Sequence, residues 1–219
     1  KLSVLMGDFL LSKALINMIR IKDFDALERI SITAEKLSAG EILQIEKSMT
    51  RSMDEATYFD MIGQKTASLI ATSCELGAIT TTKKKIDRTS TYDFGHNLGI
   101  AFQIKDDLFD ILGSEFETGK NSNSDVKKNM ITLPLIHAKS KMSRIQKREL
   151  NKLLNKNKKN RRILSSIREL IMEAGGIQYS TEKMEEYSNL ALKAISDYPD
   201  SPIKVSLIDL VSYNGSRIN

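Results

Sequence analysis

The sequence predicts an all-α protein of one domain, and three observations predict it. Every long segment repeats its apolar residues at helical period, and none alternates as a strand does. Only three prolines and eleven glycines interrupt 219 residues, which leaves room for long helices. The stretch Leu98 to Leu112, LGIAFQIKDDLFDIL, is apolar yet carries its acids on one face. A chain of this length can bury a substantial core.

The elements follow in order. The first helix is predicted from about Ser3 to Ile21 and the second from about Asp25 to Ser48. Ser52 with Glu55 three residues later reads as a capping box opening a third helix that continues through Ala78. Polar residues from Thr80 to Thr91 form a link, and Ser90 with Asp93 marks the start of the aspartate-bearing helix. Gly113 to Ser124 reads as a loop, and a helix follows from about Asp125 to Ser140. Two helical pieces flank a basic run from Lys152 to Arg162, which lacks interleaved aromatics and suits a solvated connector. Gly175-Gly176 breaks the chain before a helix near Ile177 to Tyr198. Ser201 as N-cap and Pro202 at the first helical position open the last helix, and Gly215 is a natural stop.

Composition narrows the function classes. Hydrophobic residues make up 41% and charged residues 28%, with a net charge of +5. A basic balance suits anionic partners, but without tryptophan or a nucleic-acid module no nucleic-acid role is expected. The longest unbroken apolar run falls short of about 18 residues, so no stable membrane insertion is expected. The single cysteine, Cys74, cannot form an internal disulfide and fits a reducing cytoplasm and a place in the core. The chain opens on Lys1 and runs straight into apolar helix, as expected of a piece of a longer protein.

The acids of Leu98–Leu112 carry the chemistry. At about 100° per residue, Gln103, Asp106, Asp107 and Asp110 share an arc of roughly 100°, with His96 and Gly99 on the same stripe. A solvated stripe on a surface helix is the simplest account of such a pattern. Here the rest of the helix is apolar, which marks it as central and turns the stripe toward a cavity. Three carboxylates there repel one another and need a cation, and an oxygen-only ligand set points to Mg²⁺. In the third helix, Lys65 shares a stripe with Tyr58, Met61, Ile62, Leu69 and Leu76, with Thr66 and Thr72 nearby. A lysine there snorkels, pairs with an acid, or holds an anion. Beside a metal-competent helix, a phosphate site is favoured.

GHNLGIAFQIKDDLFDILG, followed by TGK and DVKKNMITLPL, resembles the second aspartate-rich region of the trans-isoprenyl diphosphate synthases, the polyprenyl synthetase family. GDFLLSKA, AGEILQ, QKTASLIATSCELGA, AGGIQY and DSPIKVSLIDLVSY match other blocks of that family in order, across essentially the whole chain. The resemblance implies an antiparallel helical bundle around a deep cavity, of which residues 1–219 form the C-terminal two thirds, usually as a homodimer. It implies head-to-tail condensation of isopentenyl diphosphate with an allylic prenyl diphosphate, giving a medium- or long-chain polyprenyl diphosphate. On that basis Asp106, Asp107 and Asp110 hold Mg²⁺, with Asp106 the most direct ligand. Lys65 and Lys120 contact diphosphate, and Thr66 and Gln103 steady the allylic cation.

The chain departs from the family pattern twice. The first aspartate-rich motif belongs upstream of Lys1, and Met130 stands where the family usually has a lysine, a charge that Lys127 or Lys128 could supply. These departures leave a second expectation open, a non-catalytic subunit that partners an active synthase. A related terpene synthase is a third, less suited to the TGK and TLPL blocks.

Overall fold

The computed structural model describes residues 2–50, 52–112, 131–156 and 160–216, and every regular element among them is helical. In order these are α1 (Leu2–Ile21), α2 (Phe24–Thr50), α3 (Glu55–Ile62), a π-helical turn (Gly63–Ala67), α4 (Ser68–Ile79) and α5 (Lys85–Leu112). Then come α6 (Leu133–Lys141), α7 (Arg144–Leu154), α8 (Arg161–Glu173), α9 (Gly176–Ala194) and α10 (Pro202–Ser216). The all-α expectation holds.

Helix α5 is the axis of the molecule, packed most extensively against α4 and α9. Its residues enter all three apolar clusters. Ile104 and Leu108 join Tyr58, Met61 and Met184; Ile111 joins Leu135, Leu150 and Ile171; Phe94 and Leu98 join Ala191 and Val211. Burying each large aliphatic side chain contributes about 1.5–3 kcal/mol. The close fit of α5 on its neighbour depends on two glycines one turn apart. A Cβ at Gly99 would lie 2.6 Å from the Ala67 Cα, and one at Gly95 would lie 2.7 Å from the Ala71 Cα. Phe102, expected on the apolar side, is instead 48% exposed.

Several boundaries differ from expectation. Helix α3 is capped by Asp54, whose Oδ1 accepts from the Thr57 N–H at 2.7 Å, while Ser52 pairs with the Thr50 hydroxyl. Helix α5 starts at Lys85, so Ser90 and Asp93 lie inside it. No proline or glycine interrupts residues 85–94, and their mostly polar side chains, exposed or half-buried up to Asp93, blur the apolar period from which a start was read. Helix α6 starts at Leu133 with Thr132 as N-cap; the rest of the predicted Asp125–Ser140 helix, and the predicted Gly113–Ser124 loop, fall largely or wholly outside the described residues. In the basic run, α7 extends to Leu154 and α8 opens at Arg161 behind an Asn160 cap. Ser201 caps α10 as expected, its hydroxyl accepting from the Lys204 N–H at 3.1 Å, but Gly215 lies within the helix rather than ending it.

Helix α1 has no buried residue, and Leu2, Val4, Leu5 and Leu10 are among its exposed apolar side chains. Among the described residues it is the helix long and apolar enough to cross a membrane by length and composition. The rule of an unbroken apolar run passed over it because Asp8 and Lys13 interrupt the sequence. Composition alone therefore does not carry the expectation of no membrane insertion.

Candidate functional site

The turn that carries Lys65 and Thr66 is not α-helical. The Ser68 N–H reaches back five residues to the Gly63 carbonyl, and the Ser68 hydroxyl donates to the Gln64 carbonyl at 2.5 Å. Such π turns insert one residue into a helix and recur at functional sites. The extra residue rotates everything downstream by about 100°. Leu69, predicted to face inward with Lys65, is therefore 51% exposed, while Ser68, Ala71, Thr72 and Glu75 turn inward. Thr72 is spent on a 2.6 Å bond to Thr33 of α2 and lies away from the cavity.

A cavity of about 250 Å³ lies between α2, α3, the π turn, α5 and the start of α6. Met53, Met61, Ile62 and Ile131 form its apolar lining, and Gln44, Lys65, Gln103, Asp106 and Asp107 its polar one. Thr132, the N-cap of α6, also lines it and makes no side-chain capping bond, so the positive end of that helix lies beside the cavity. This arrangement suits a ligand with an anionic head and a hydrocarbon tail.

Lys65 takes the second of its expected roles, pairing with an acid. Its Nζ lies 2.7 Å from Glu41 Oε2 and donates to Gln44 Oε1, both on α2. Helix α2 comes this close because a Cβ at Gly40 would lie 2.7 Å from the Lys65 backbone nitrogen. The Glu41 side chain is 54% exposed, and a pair that open contributes under about 1 kcal/mol. An anionic ligand can displace it at little cost.

The three aspartates occupy different settings. Asp106 is exposed at the cavity wall, Asp110 is half-buried one turn on, and Asp107 is only 4% exposed. Asp107 Oδ2 accepts from the Tyr58 hydroxyl at 2.7 Å, and its Oδ1 accepts from Gln103 Nε2 at 2.9 Å. Gln103 Oε1 in turn accepts from the Thr66 hydroxyl at 2.7 Å. The stripe thus brings Thr66, Gln103 and Asp107 into one hydrogen-bonded row, with Lys65 beside it. Among the described residues no group of three metal-ligating side chains converges. Asp106 lines the cavity and Asp110 follows one turn on along the same helix face, and Lys120 lies outside the described residues.

Reading the sequence missed four contributors. Tyr58 was placed on the inward stripe but counted only as an apolar neighbour; it is wholly buried and spends its hydroxyl on Asp107. Glu41 and Gln44 lie three residues apart on one helix face, a signal present in AGEILQ. Lys105 is 3% exposed; its Nζ donates to the Tyr213 carbonyl at 3.3 Å near the C-terminal end of α10, where a cation is favoured. The signal was its place on the helix: at about 100° per residue Lys105 falls on the apolar arc beside Ala101, Leu108 and Leu112. His96, on the same stripe, is held below its ordinary pKa by burial, opposed by Asp93 and assisted by Lys36.

Comparison with known proteins gives the family. The polyprenyl synthetase family model matches residues 1–171. The chain belongs to the polyprenyl synthetase family. Within that family it is 32% identical over 217 residues to the probable mitochondrial hexaprenyl pyrophosphate synthase of Neurospora crassa, covering 96% of this chain and 47% of that protein. It is 31% identical over 217 residues to heptaprenyl diphosphate synthase component 2 of Bacillus subtilis, covering 99% of this chain and 61% of that one. A crystal structure of a Caulobacter crescentus polyprenyl synthase complexed with calcium and isoprenyl diphosphate superposes with a TM-score of 0.90 at 29% identity. That match covers 98% of this chain and 66% of the Caulobacter chain. The chain spans about half the length of the Neurospora relative.

Proposed function

We propose that this chain works in the Mg²⁺-dependent condensation of isopentenyl diphosphate with an allylic prenyl diphosphate, giving a medium- or long-chain polyprenyl diphosphate. The observation that carries this is the cavity itself, with Lys65 and Asp106 at its polar side and Met53, Met61 and Ile62 at its apolar side. The family membership supports it, as does the Caulobacter relative solved with calcium and isoprenyl diphosphate.

The donor set fits Mg²⁺ in a specific form. Mg²⁺ commonly takes one or two carboxylates and completes its shell with water and substrate phosphate oxygens. Asp106, exposed at the cavity wall, offers one such carboxylate, and Asp110 lies one turn further along the same face. When bound, the ion supplies charge neutralisation on the departing diphosphate. The remaining work falls to side chains. Lys65 leaves Glu41 to bind the diphosphate. Thr66 and Gln103 present oxygens to positive charge growing on the allylic carbon, a preorganised electrostatic role. The apolar lining holds the prenyl chain and keeps water from that carbon. Lys120, implied by the resemblance, adds a second diphosphate cation.

We further propose a homodimer, supported by the uncovered apolar length of α1, and a cytoplasmic setting, supported by the free Cys74 thiol. A non-catalytic subunit is the second reading, favoured by the Bacillus relative's name as a component and by Met130. Calorimetry with an inert farnesyl thiodiphosphate analogue tests the site. Binding should need Mg²⁺ and weaken at least tenfold in both D106N and K65Q; binding indifferent to Mg²⁺ and to both changes refutes it.

A further inference from the structure

We propose that Tyr58 and Asp107 are positioning residues for this prenyl transfer, acting through Gln103 and Thr66 and not through the metal. This rests on the function proposed above and divides the paired aspartates, giving Asp106 to the cation and Asp107 to the protein.

The geometry is directional. The Tyr58 hydroxyl donates to Asp107 at 2.7 Å, the Gln103 amide donates to the other Asp107 oxygen at 2.9 Å, and the Thr66 hydroxyl donates to Gln103 at 2.7 Å. A carboxylate has only acceptors, so the Gln103 group facing it must be the NH₂. That fixes the amide carbonyl toward Thr66 and commits the Thr66 proton to it. The carbonyl of Gln103, which lines the cavity, then carries lone pairs and no proton, and the Thr66 hydroxyl bonded to it has only lone pairs left to offer. A cation-facing site needs that polarity; a flipped amide would point N–H groups at positive charge.

The row is also dry at its anchored end. Tyr58 is 0% exposed, in a cluster with Met61, Ile104 and Leu108, and Asp107 is 4% exposed. In such surroundings a hydrogen bond is stronger and each bond polarises the next. The negative charge of Asp107 therefore raises electron density on the Gln103 carbonyl oxygen and, through it, on Thr66. The row spans α3, the π turn and α5, so it also locks those elements together. Helical geometry explains the division: both line the cavity, but adjacent residues sit about 100° apart, so Asp106 is exposed while Asp107 is buried against Tyr58.

Tyr58→Phe is the decisive variant, because it keeps the buried ring and removes one donor. Asp107→Asn and Asp106→Asn accompany it, each checked by thermal melting. Three quantities are measured. The first is the ¹⁵N–¹H shift of the Gln103 side-chain amide without substrate, assigned by its loss in Gln103→Glu. The second is Mn²⁺ affinity with farnesyl thiodiphosphate present. The third is kcat and KM for incorporation of isopentenyl diphosphate.

Tyr58→Phe should move the Gln103 amide resonance and lower kcat at least tenfold, with KM and Mn²⁺ affinity within twofold of wild type. Asp107→Asn should do the same, whereas Asp106→Asn should weaken Mn²⁺ at least tenfold and leave the resonance in place. An unmoved resonance in Tyr58→Phe overturns the proposal, and so does a loss of Mn²⁺ affinity in Asp107→Asn equal to that in Asp106→Asn. If the wild-type chain makes no product, the parent function fails, while the substrate-free resonance still decides the positioning pair.

Discussion

Alanine at Gly99 should destabilise the protein, although alanine is the better helix former. A Cβ added there would lie 2.6 Å from the Ala67 Cα and 2.9 Å from the Ala67 Cβ, contacts with backbone and a fixed methyl that cannot swing away. Overpacking of this kind costs about 1–3 kcal/mol. The propensity gain of alanine over glycine inside a helix recovers about 0.5–1 kcal/mol. The clash wins, leaving a net loss of about 1–2 kcal/mol. At roughly 2–4 °C per kcal/mol for a chain of this size, Tm should fall by about 2–8 °C. Gly77 is the control: it lies inside α4, and a Cβ there would meet nothing within 4 Å. Gly77→Ala should therefore raise Tm by about 1–4 °C. Thermal unfolding of both variants by far-UV circular dichroism gives the comparison. A Gly99→Ala protein as stable as wild type would refute the close seating of α5 on the π turn, and with it the 2.7 Å reach from Thr66 to Gln103.

Two further outcomes depend on titration. Burial holds His96 below its ordinary pKa of 6.5, so the unfolded chain takes up that proton first as pH falls. The stability His96 contributes is present above pH 6.5 and is lost below it; a His96→Gln variant should show a shallower Tm decline than wild type between pH 7.5 and 5. Tyr179 behaves oppositely: burial and its 2.5 Å bond to Glu55 push its pKa up to about 12. The unfolded chain loses that proton first, so stability falls as pH rises from about 10 to 12, and Tyr179→Phe should lose less across that range in denaturant melts.

What the sequence disclosed depended on how local the physics was. The aspartate stripe of α5 was legible because a helical period needs only spacing, and the wide apolar remainder correctly marked a central helix. The inward placement of Lys65 and Thr66 followed from the same rule. That rule failed at Leu69, because the π turn at Gly63–Ala67 shifts the register and no spacing argument contains it. The turn accompanies tertiary contacts, Gly40 against Lys65 and Gly99 against Ala67, made by segments far apart in sequence. The differing roles of Asp106 and Asp107 were hidden for a similar reason. Both line the cavity, but they sit about 100° apart within their shared arc, so Asp106 stays exposed while Asp107 is buried against Tyr58, 49 residues away. The start of α5 was misplaced because its first two turns are mostly polar, exposed or half-buried, and carry no apolar period to read.

Whether the cavity beside Asp106 and Lys65 serves prenyl transfer is decided by product formation. Its most direct measurement is incorporation of labelled isopentenyl diphosphate onto farnesyl diphosphate by the 219-residue chain, with the extracted product sized. A discrete medium- or long-chain product that requires Mg²⁺ and is lost in Asp106→Asn is the predicted result. No product from the chain alone, with activity only in a mixture with a second prenyl synthase, would contradict it and leave the non-catalytic subunit as the account.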